Sequence, residues 1–358
     1  MIIDSLYIEN FRLFKKKIFK LSHNKALILG GNSSGKTSIL EALNILFIGK
    51  SFRESDLTSC IKQSKSYFLL ASLGNSENNE LRITGKKSLN TRLQVRREKN
   101  LKLTKLNNMP LISVLLGKKF NMIEGESDLR REFFNRIMFH VKPDLRTQYS
   151  KYLKTLNHRN KAIKKRASQR ELLIWTKQLA EKGEYIQTEQ KTFYSLFEAS
   201  FKQYISSIAK EHNLKFLEET TIKLFPGWNK TQSLDKSLIE AIDKDRVMGY
   251  TTLGPHRFDL VFLTNNKKSK KLLSRGQQKL LILLVFLSIN PFLKKTFNLQ
   301  SVLMIDDISS ELDSINLSII LTEIVRAENQ VVSTLIDINR LTKNNHLLEQ
   351  FDQINLQK

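Results

Sequence analysis

The chain has 358 residues, with 59 Lys and Arg against 35 Asp and Glu, a formal charge of +24 at pH 7. That surplus predicts an anionic partner without choosing between nucleic acid and an acidic membrane surface, while 41% hydrophobic and 9% aromatic residues exclude a disordered basic tail. With Cys60 as the single cysteine, an intrachain disulfide framework and a cysteine-based zinc cluster are both excluded.

Met1 to Phe14 alternates as a strand and turn, without the apolar stretch of a secretory signal. ALILGG then forms a short apolar strand ending at glycines. After the loop Gly30 to Thr37, SILEALNILFIG carries apolar residues at helical spacing, Ile39, Leu40, Leu43, Leu46 and Phe47. Strand, glycine-rich loop and helix in that order is the context a phosphate-binding loop needs. Between Tyr67 and Val95 the runs YFLLASL, ELRIT and TRLQV predict an antiparallel sheet packed against the nucleotide-binding core. From Leu129 to Lys215 the only breakers are Pro143 and Gly183. Leu145 to Leu179 reads as one helix roughly 50 Å long, and Tyr194 to Ile208 as part of another, together an antiparallel arm. β-like signals return at Leu217 to Leu224 and Arg257 to Thr264, followed by the basic turn NNKKSKK. LLSRGQQKLLILLVFLSIN predicts a loop and buried helix, VLMIDD a strand of a buried parallel sheet, SSELDSINLSIILTEIVRA a helix, and QVVST a last core strand. The longest apolar run, Leu280 to Leu287, is well short of the roughly 20 residues that span a bilayer. The chain is therefore expected to be cytoplasmic, with no stable membrane partner. Nucleotide-binding elements lie at both ends, so the expectation is an α/β P-loop ATPase head built from residues 1–108 and 251–358, with an inserted mainly helical lobe at 109–250.

The chemistry is carried by a few short stretches. Gly30-Gly31-Asn32-Ser33-Ser34-Gly35-Lys36-Thr37 fits G-x-x-x-x-G-K-T, and Ser38 follows. Its glycines let backbone N–H groups curve around phosphate oxygens, Lys36 reaches the β and γ phosphates, and the Thr37 hydroxyl is placed to ligate Mg²⁺. The helix that begins here adds its positive end. The cofactors expected are ATP and Mg²⁺. Val302 to Asp307 is the Walker B candidate. A hydrophobic strand would set Asp306 beside the Mg²⁺ held by Thr37, with Asp307 orienting or deprotonating the attacking water.

Leu273-Ser274-Arg275-Gly276-Gln277-Gln278-Lys279 lies just upstream. It resembles the S-x-G-Q signature of ABC-type ATPases, in which Ser274 and the Gly276 backbone would face the γ-phosphate of ATP held by a partner subunit. Ser310-Glu311-Leu312-Asp313 resembles the D-loop of that class. Thr334 stands where the class places its switch residue, and is expected to sense the γ-phosphate by a hydrogen bond.

Longer stretches make the resemblance specific. IENFRLF, GGNSSGKTSILEALNIL, GKSFR, GESDLRREFFNR, YLKTLNHRNKAIK, TTLGPHRFDLVF, SRGQQK and MIDDISSELD run in the order found in the RecF family of bacterial DNA replication and repair proteins, relatives of the SMC-type ATPases. The resemblance covers nearly the whole chain. It implies an ABC/SMC-type ATPase head with a helical second lobe, weak DNA-dependent ATP hydrolysis, and ATP-driven homodimerisation on DNA. It also implies recombinase loading at single-strand gaps, with RecR and RecO as partners, and association with the nucleoid. Four positions depart from the family pattern. Ser33 replaces a usual glycine, which calls for backbone angles compatible with a Cβ and a slightly less open loop. Ser127 replaces a proline, Asn135 an aspartate, and Phe258 an acid, leaving Asp259.

Basic residues cluster at Lys15 to Lys17; at Arg92, Arg96, Arg97 and Lys99; at Arg159, Lys161, Lys164, Lys165, Arg166 and Arg170; and at Lys267, Lys268, Lys270 and Lys271. In the arm, positions 161, 164, 165 and 168 are expected to share a helical face. Such surfaces engage phosphates without reading sequence. A transporter ATPase subunit is the first rival, opposed by Arg275 and the GPHR segment. An SMC-type structural ATPase would need a far longer arm. A DNA-binding scaffold with vestigial hydrolysis, or a plasmid or phage-defence ATPase, shares the head and is separated by ATP turnover and genomic context.

Overall fold

The computed structural model describes residues 2–21, 24–76, 79–100, 102–103, 110–229, 232–336 and 345–356. Two compact units result, one from residues 1–120 and 274–358, the other from residues 121–273. In the first, β1 (Ile2–Phe11), β2 (Phe14–Lys20) and β3 (Lys25–Leu29) precede α1 (Lys36–Ile48). Then follow β4 (Tyr67–Ser76), β5 (Asn79–Ser88), β6 (Gln94–Lys99), β7 (Lys102–Leu103) and β8 (Leu111–Leu115). The second unit holds α2 (Ser127–Val141), α3 (Pro143–Lys164), α4 (Gln169–His212), α5 (Lys215–Glu218), β9 (Thr220–Phe225), α6 (Leu234–Glu240), α7 (Ile242–Met248), β10 (Asp259–Thr264) and β11 (Lys267–Lys268). The chain returns to the first unit through α8 (Arg275–Leu287), α9 (Ile289–Phe297), β12 (Ser301–Ile305), α10 (Ser314–Arg326), β13 (Gln330–Leu335), α11 (Asn345–Leu348) and β14 (Asp352–Asn355).

The first unit is an α/β head drawn from both chain ends. Its parallel sheet runs β14-β3-β13-β12-β8, and β3, β8, β12 and β13 are buried along their whole length. Unbroken apolar runs such as KALIL and SVLMI are what a sheet covered on both faces requires. The antiparallel sheet β2-β1-β4-β5-β6-β7 contains the three strands expected between Tyr67 and Val95. Helix α1 is buried at nearly every position, and its Ile39, Leu43, Leu46 and Phe47 share one apolar core with residues of both sheets. Gln330 on β13 ties the sheets together. Its side chain accepts from Ile3 N at 2.7 Å and donates to Ile3 O and Leu21 O.

The expected boundary at 108/109 falls on residues outside those described, and the compact units divide further along the chain than the sequence suggested. Leu111–Leu115 pairs in parallel register with Ser301–Ile305, so β8 is part of the head sheet. Asp259–Thr264 pairs antiparallel with Thr220–Phe225, so residues 251–273 belong with the second unit and only 274–358 with the head. That unit is mainly helical but also carries the sheet β11-β10-β9.

Its long helix is not the one expected. Pro143 opens α3 at the first helical position, where its missing N–H costs nothing. Helix α3 stops at Lys164, Arg166 takes φ 52°, and Ser168 caps α4 by accepting from Glu171 N. Helix α4 then runs 44 residues, about 66 Å, and contains Tyr194 to Ile208 in one piece. Arg159 meets Thr176 and Tyr152 lies beside Gly183, so α3 and α4 are antiparallel. Gly183 does not break α4. A Cβ there would stand 2.5 Å from Leu234 Cδ2, so glycine lets α6 pack against the helix. Because the chain reverses at 165–168, positions 161, 164, 165 and 168 do not form one helical face. The stretch Arg275–Phe297 is long and apolar enough to cross a membrane by length and composition, yet it is two helices whose apolar residues lie in the core.

Candidate nucleotide site

The phosphate-loop segment joins β3 to α1, and two of its glycines are required by their surroundings. Gly35 has φ 99°, and a Cβ on it would lie 2.7 Å from the Phe14 ring and 2.8 Å from Leu13. A Cβ on Gly30 would lie 2.6 Å from Ser34 Oγ. The turn between β1 and β2 thus packs onto the loop, and only glycine leaves room for it. Its Arg12 forms a bidentate pair with buried Glu41 of α1, at 2.7 and 2.9 Å. That hydrogen bond holds the Arg12 pKa above its ordinary value.

Ser33 does not adopt the Cβ-friendly angles expected of it. Its φ is 64°, the left-handed region that glycine enters freely and serine enters at a cost. Lys36 Nζ donates to Gly30 O at 2.6 Å and Gly31 O at 2.8 Å. The lysine therefore spans the mouth of the loop, with its pKa lowered by burial against the opposing pull of Asp306 and Asp307. Ser34 Oγ is buried without a hydrogen-bond partner among the described residues. Asn32 and Gly31 are exposed, while Ser38 is buried in the first turn of α1.

Strand β12 delivers its acids to this loop. Thr37 Oγ1 lies 2.9 Å from Asp306 Oδ2 and 3.2 Å from Oδ1, across 269 positions of sequence. A hydroxyl and a carboxylate in contact form the hard oxygen donor set that Mg²⁺ takes at a phosphate site. The loop cradle, the orphaned Ser34 hydroxyl and this donor pair together fit a Mg²⁺–nucleotide phosphate.

Thr334 and Asp307 hold positions the sequence did not reveal. Thr334 is fully buried; its Oγ1 donates to Asp306 Oδ1 at 2.7 Å and accepts from Asp307 N at 2.8 Å. Its hydroxyl is committed to the two Walker B acids, so in this arrangement it positions them. Asp307 itself has φ 51°, and its Oδ1 accepts from Ser309 Oγ and Ser310 N at 3.2 Å. Ser274 caps α8 in a capping box with Gln277, and Gly276 sits one Cβ width from Glu311 O, which such an atom would approach to 3.1 Å. The signature and D-loop segments are neighbours within one chain. Lys279, which closes the signature stretch, is buried against Asp307 O and Ser310.

Three of the stretches that carry the family resemblance, GESDLRREFFNR, YLKTLNHRNKAIK and TTLGPHRFDLVF, occupy the second unit, where they form structural networks. Arg159 is fully buried. It pairs with Asp245 at 2.6 Å and donates to Thr176, Thr251 and Leu238 O. Asn160 Oδ1 accepts from the Thr251 N–H and hydroxyl. LNHRN and TTLGPHR are therefore two halves of one buried assembly. His256 of GPHR hydrogen-bonds Tyr152 Oη at 2.7 Å, and burial pushes its pKa down to about 4, so it is neutral at pH 7. Arg130 pairs with Asp259 through two bonds, and Arg131 donates to Phe258 O. Phe258 is fully buried against Phe134, which explains how an aromatic side chain stands where an acid is usual. Ser127 is the first residue of α2, the slot proline favours, and Asn135 lies half-buried on the same helix.

The basic clusters also divide. Lys15 to Lys17 line edge strand β2 and are exposed, as are Lys267, Lys268, Lys270 and Lys271. Arg159 is internal, and Arg97 is half-buried against the last carbonyls of α1, with burial lowering its pKa.

The profile described as "RecF/RecN/SMC N terminal domain" matches residues 2–355. The chain belongs to this family. The DNA replication and repair protein RecF of Vibrio vulnificus is 31% identical over 320 residues, covering 88% of this chain and 87% of that one. That of Teredinibacter turnerae is 27% identical over 334 residues, covering 93% and 88%. Among solved structures, the recombination mediator protein RecF-ATPrS in the RecFOR pathway superposes with a TM-score of 0.76 at 22% identity, covering 94% of this chain and 93% of that one. The Smc head bound to the C-winged helix domain of ScpA reaches 0.55 at 14% identity, covering 99% and 94%. At those identities the structures speak for the fold: an α/β P-loop ATPase head from both chain ends with an inserted helical lobe, as the sequence predicted.

Proposed function

We propose that this family member is an ATP-dependent, sequence-nonspecific DNA-binding protein with weak, DNA-stimulated ATPase activity. It acts in the cytoplasm at the nucleoid, in recombinational repair and replication-fork maintenance, by helping recombinase loading at single-strand gaps. Its partners are DNA, a second copy of itself when ATP is bound, and proteins of the RecR and RecO type. The observation that supports the reading is the contact of Thr37 with Asp306, a hydroxyl and an acid from opposite ends of the chain that would hold Mg²⁺ beside ATP.

Thr37 and Asp306 would hold Mg²⁺, which when bound would neutralise phosphate charge. Lys36 exchanges its two loop carbonyls for phosphate oxygens. Asp307 orients water and accepts its proton. Ser274 and Gly276 of the second copy close the γ-phosphate side, which makes hydrolysis depend on pairing. Relatives named for DNA replication and repair and a fold shared with the recombination mediator support the repair role.

Lys36→Met and Asp307→Asn test the site. Each is expected to lower ATP hydrolysis about 100-fold, with nucleotide affinity lost in the first and retained in the second. Undiminished turnover in both would sink the assignment.

A further inference from the structure

Lys279 is not among the groups that touch nucleotide in this reading, yet it is one of the most constrained cations in the head. It lies in the first turns of α8, five residues after Ser274, and is 2% exposed. Its Nζ donates to Asp307 O at 2.9 Å, to Ser310 O at 2.6 Å and to Ser310 Oγ. It also sits 4.5 Å from the Phe120 ring centroid, a favourable place for a desolvated ammonium.

The receiving end is strained. Asp307 is a non-glycine residue at φ 51° and Glu311 is another at φ 60°, conformations that persist only where surrounding contacts over-determine them. The peptide groups around Asp307 are gripped from both directions. Its N–H donates to the Thr334 hydroxyl and its carbonyl accepts from Lys279. One lysine therefore reaches from the signature helix to the backbone that aims the hydrolytic acid.

We infer that Lys279 is a positioning residue that couples signature engagement to the geometry of Asp307 in the same chain. The inference rests on the ATPase reading and deepens it. In a pair of copies, the signature segment of one chain closes the phosphate site of the other. Lys279 passes any displacement of α8 to that chain's own Asp307–Ser310 loop, so closing one site adjusts the acid of the second. A hydrophobic residue of similar length fills the volume but removes the ammonium from the Ser310 carbonyl and leaves the Asp307 carbonyl only the longer bond from Ser310 Oγ at 3.4 Å, so the left-handed turn loses its main support. Arginine keeps a donor there.

The test compares wild type, Lys279→Met, Lys279→Arg and Lys279→Gln in the full-length protein. Expected for Lys279→Met is kcat lowered about tenfold or more, with affinity for a fluorescent ATP analogue within about threefold. Lys279→Arg should recover part of kcat. Hydrogen exchange supplies a readout that needs no turnover. In the wild type a non-hydrolysable ATP analogue is expected to slow exchange in residues 274–280 and 306–311 together. In Lys279→Met, or Lys279→Gln if methionine impairs folding, protection of 274–280 should remain while that of 306–311 is lost. Unchanged kcat with both segments still protected would overturn this inference alone. A wild-type protein that neither binds the analogue nor hydrolyses ATP would overturn the ATPase reading, and this coupling with it.

Discussion

Ser33 carries a backbone cost that its neighbours impose. At φ 64° it occupies a region that costs an L-residue about 1–2 kcal/mol, offset in part because glycine loses about 0.4–1 kcal/mol more conformational freedom on folding. Ser33→Gly is expected to raise stability by about 0.5–1 kcal/mol; denaturant unfolding that shows a loss would refute the strained reading.

Lys25 offers a pH test. Its ammonium is buried on β3 and donates to Ala327 O and Asn329 O at 2.5 and 2.6 Å. Burial pushes its pKa down from 10.5 to about 8. The folded chain then releases this proton before the unfolded one does. The burial penalty is fully present below pH 8 and is relieved as pH rises from 8 to 10.5, so stability from this group increases across that window. Between pH 7.5 and 9.5 the wild type should gain about 2 kcal/mol relative to Lys25→Met; parallel pH profiles of the two proteins would contradict it.

At the residue scale the sequence was most legible where chemistry fixes both residue type and spacing, as at Thr37 and Asp306, which it expected side by side and the structure brings into contact. It was least legible for Thr334 and Lys279, whose roles arise from contacts across 27 to 31 positions.

Among the elements, helix and strand types were readable from periodicity, while the break between α3 and α4 was not read. The signal was present. Ser168 followed by Glu171 is an N-terminal capping pattern, and its hydroxyl does accept from Glu171 N. A run rich in Lys, Arg and Gln masked it, because such residues continue a helix as readily as they flank one. Ser168→Ala should cost about 1 kcal/mol, read as lower stability in denaturant unfolding with the remaining helix content kept.

The same pair of helices holds LNHRN against TTLGPHR in one buried network. Arg159 donates from all three guanidinium nitrogens, to Thr176, to Asp245 and Thr251, and to Leu238 O, a fork lysine cannot reproduce. Arg159→Met leaves Asp245 fully buried and without its cation. Breaking a buried pair from one side costs about 3–5 kcal/mol. The variant is expected to show a loss of that order in unfolding experiments, partly restored by adding Asp245→Asn. A loss below about 1 kcal/mol would mean the pair behaves like an exposed one.

For the whole molecule, the charge of +24 means something different once each cation has a place. Arg159, Arg130, Lys25 and Lys279 serve the interior through acids and carbonyls, and Arg12 is held by Glu41. These are invisible to a charge count, which is why the sequence placed Arg159 on a binding surface. The exposed lysines of β2 and of the 267–271 turn remain available to phosphates, and the positive balance of the chain outside its core still favours an anionic partner. Assembly of the head from distant segments was legible because two motifs that must meet lie at opposite ends; the allocation of β8 and β10 was not, since strand pairing partners leave no local mark.

If DNA is the partner and the surface of two copies contributes, affinity should depend steeply on salt. Each phosphate neutralised contributes about −0.9 to the slope of log K against log salt concentration. A surface engaging five phosphates per copy gives a slope of about −4 to −5, doubled when ATP pairs two copies on one duplex. Fluorescence anisotropy of a labelled duplex of mixed sequence, titrated from 50 to 300 mM salt with and without a non-hydrolysable ATP analogue, measures both slopes (the salt range set at about the Debye-screened regime). The expected result is weak discrimination between unrelated sequences and a steeper slope with nucleotide. A flat salt response unaffected by nucleotide would remove DNA as the partner and leave the exposed lysines as a solvated surface, since phosphate contacts cannot form without releasing counterions.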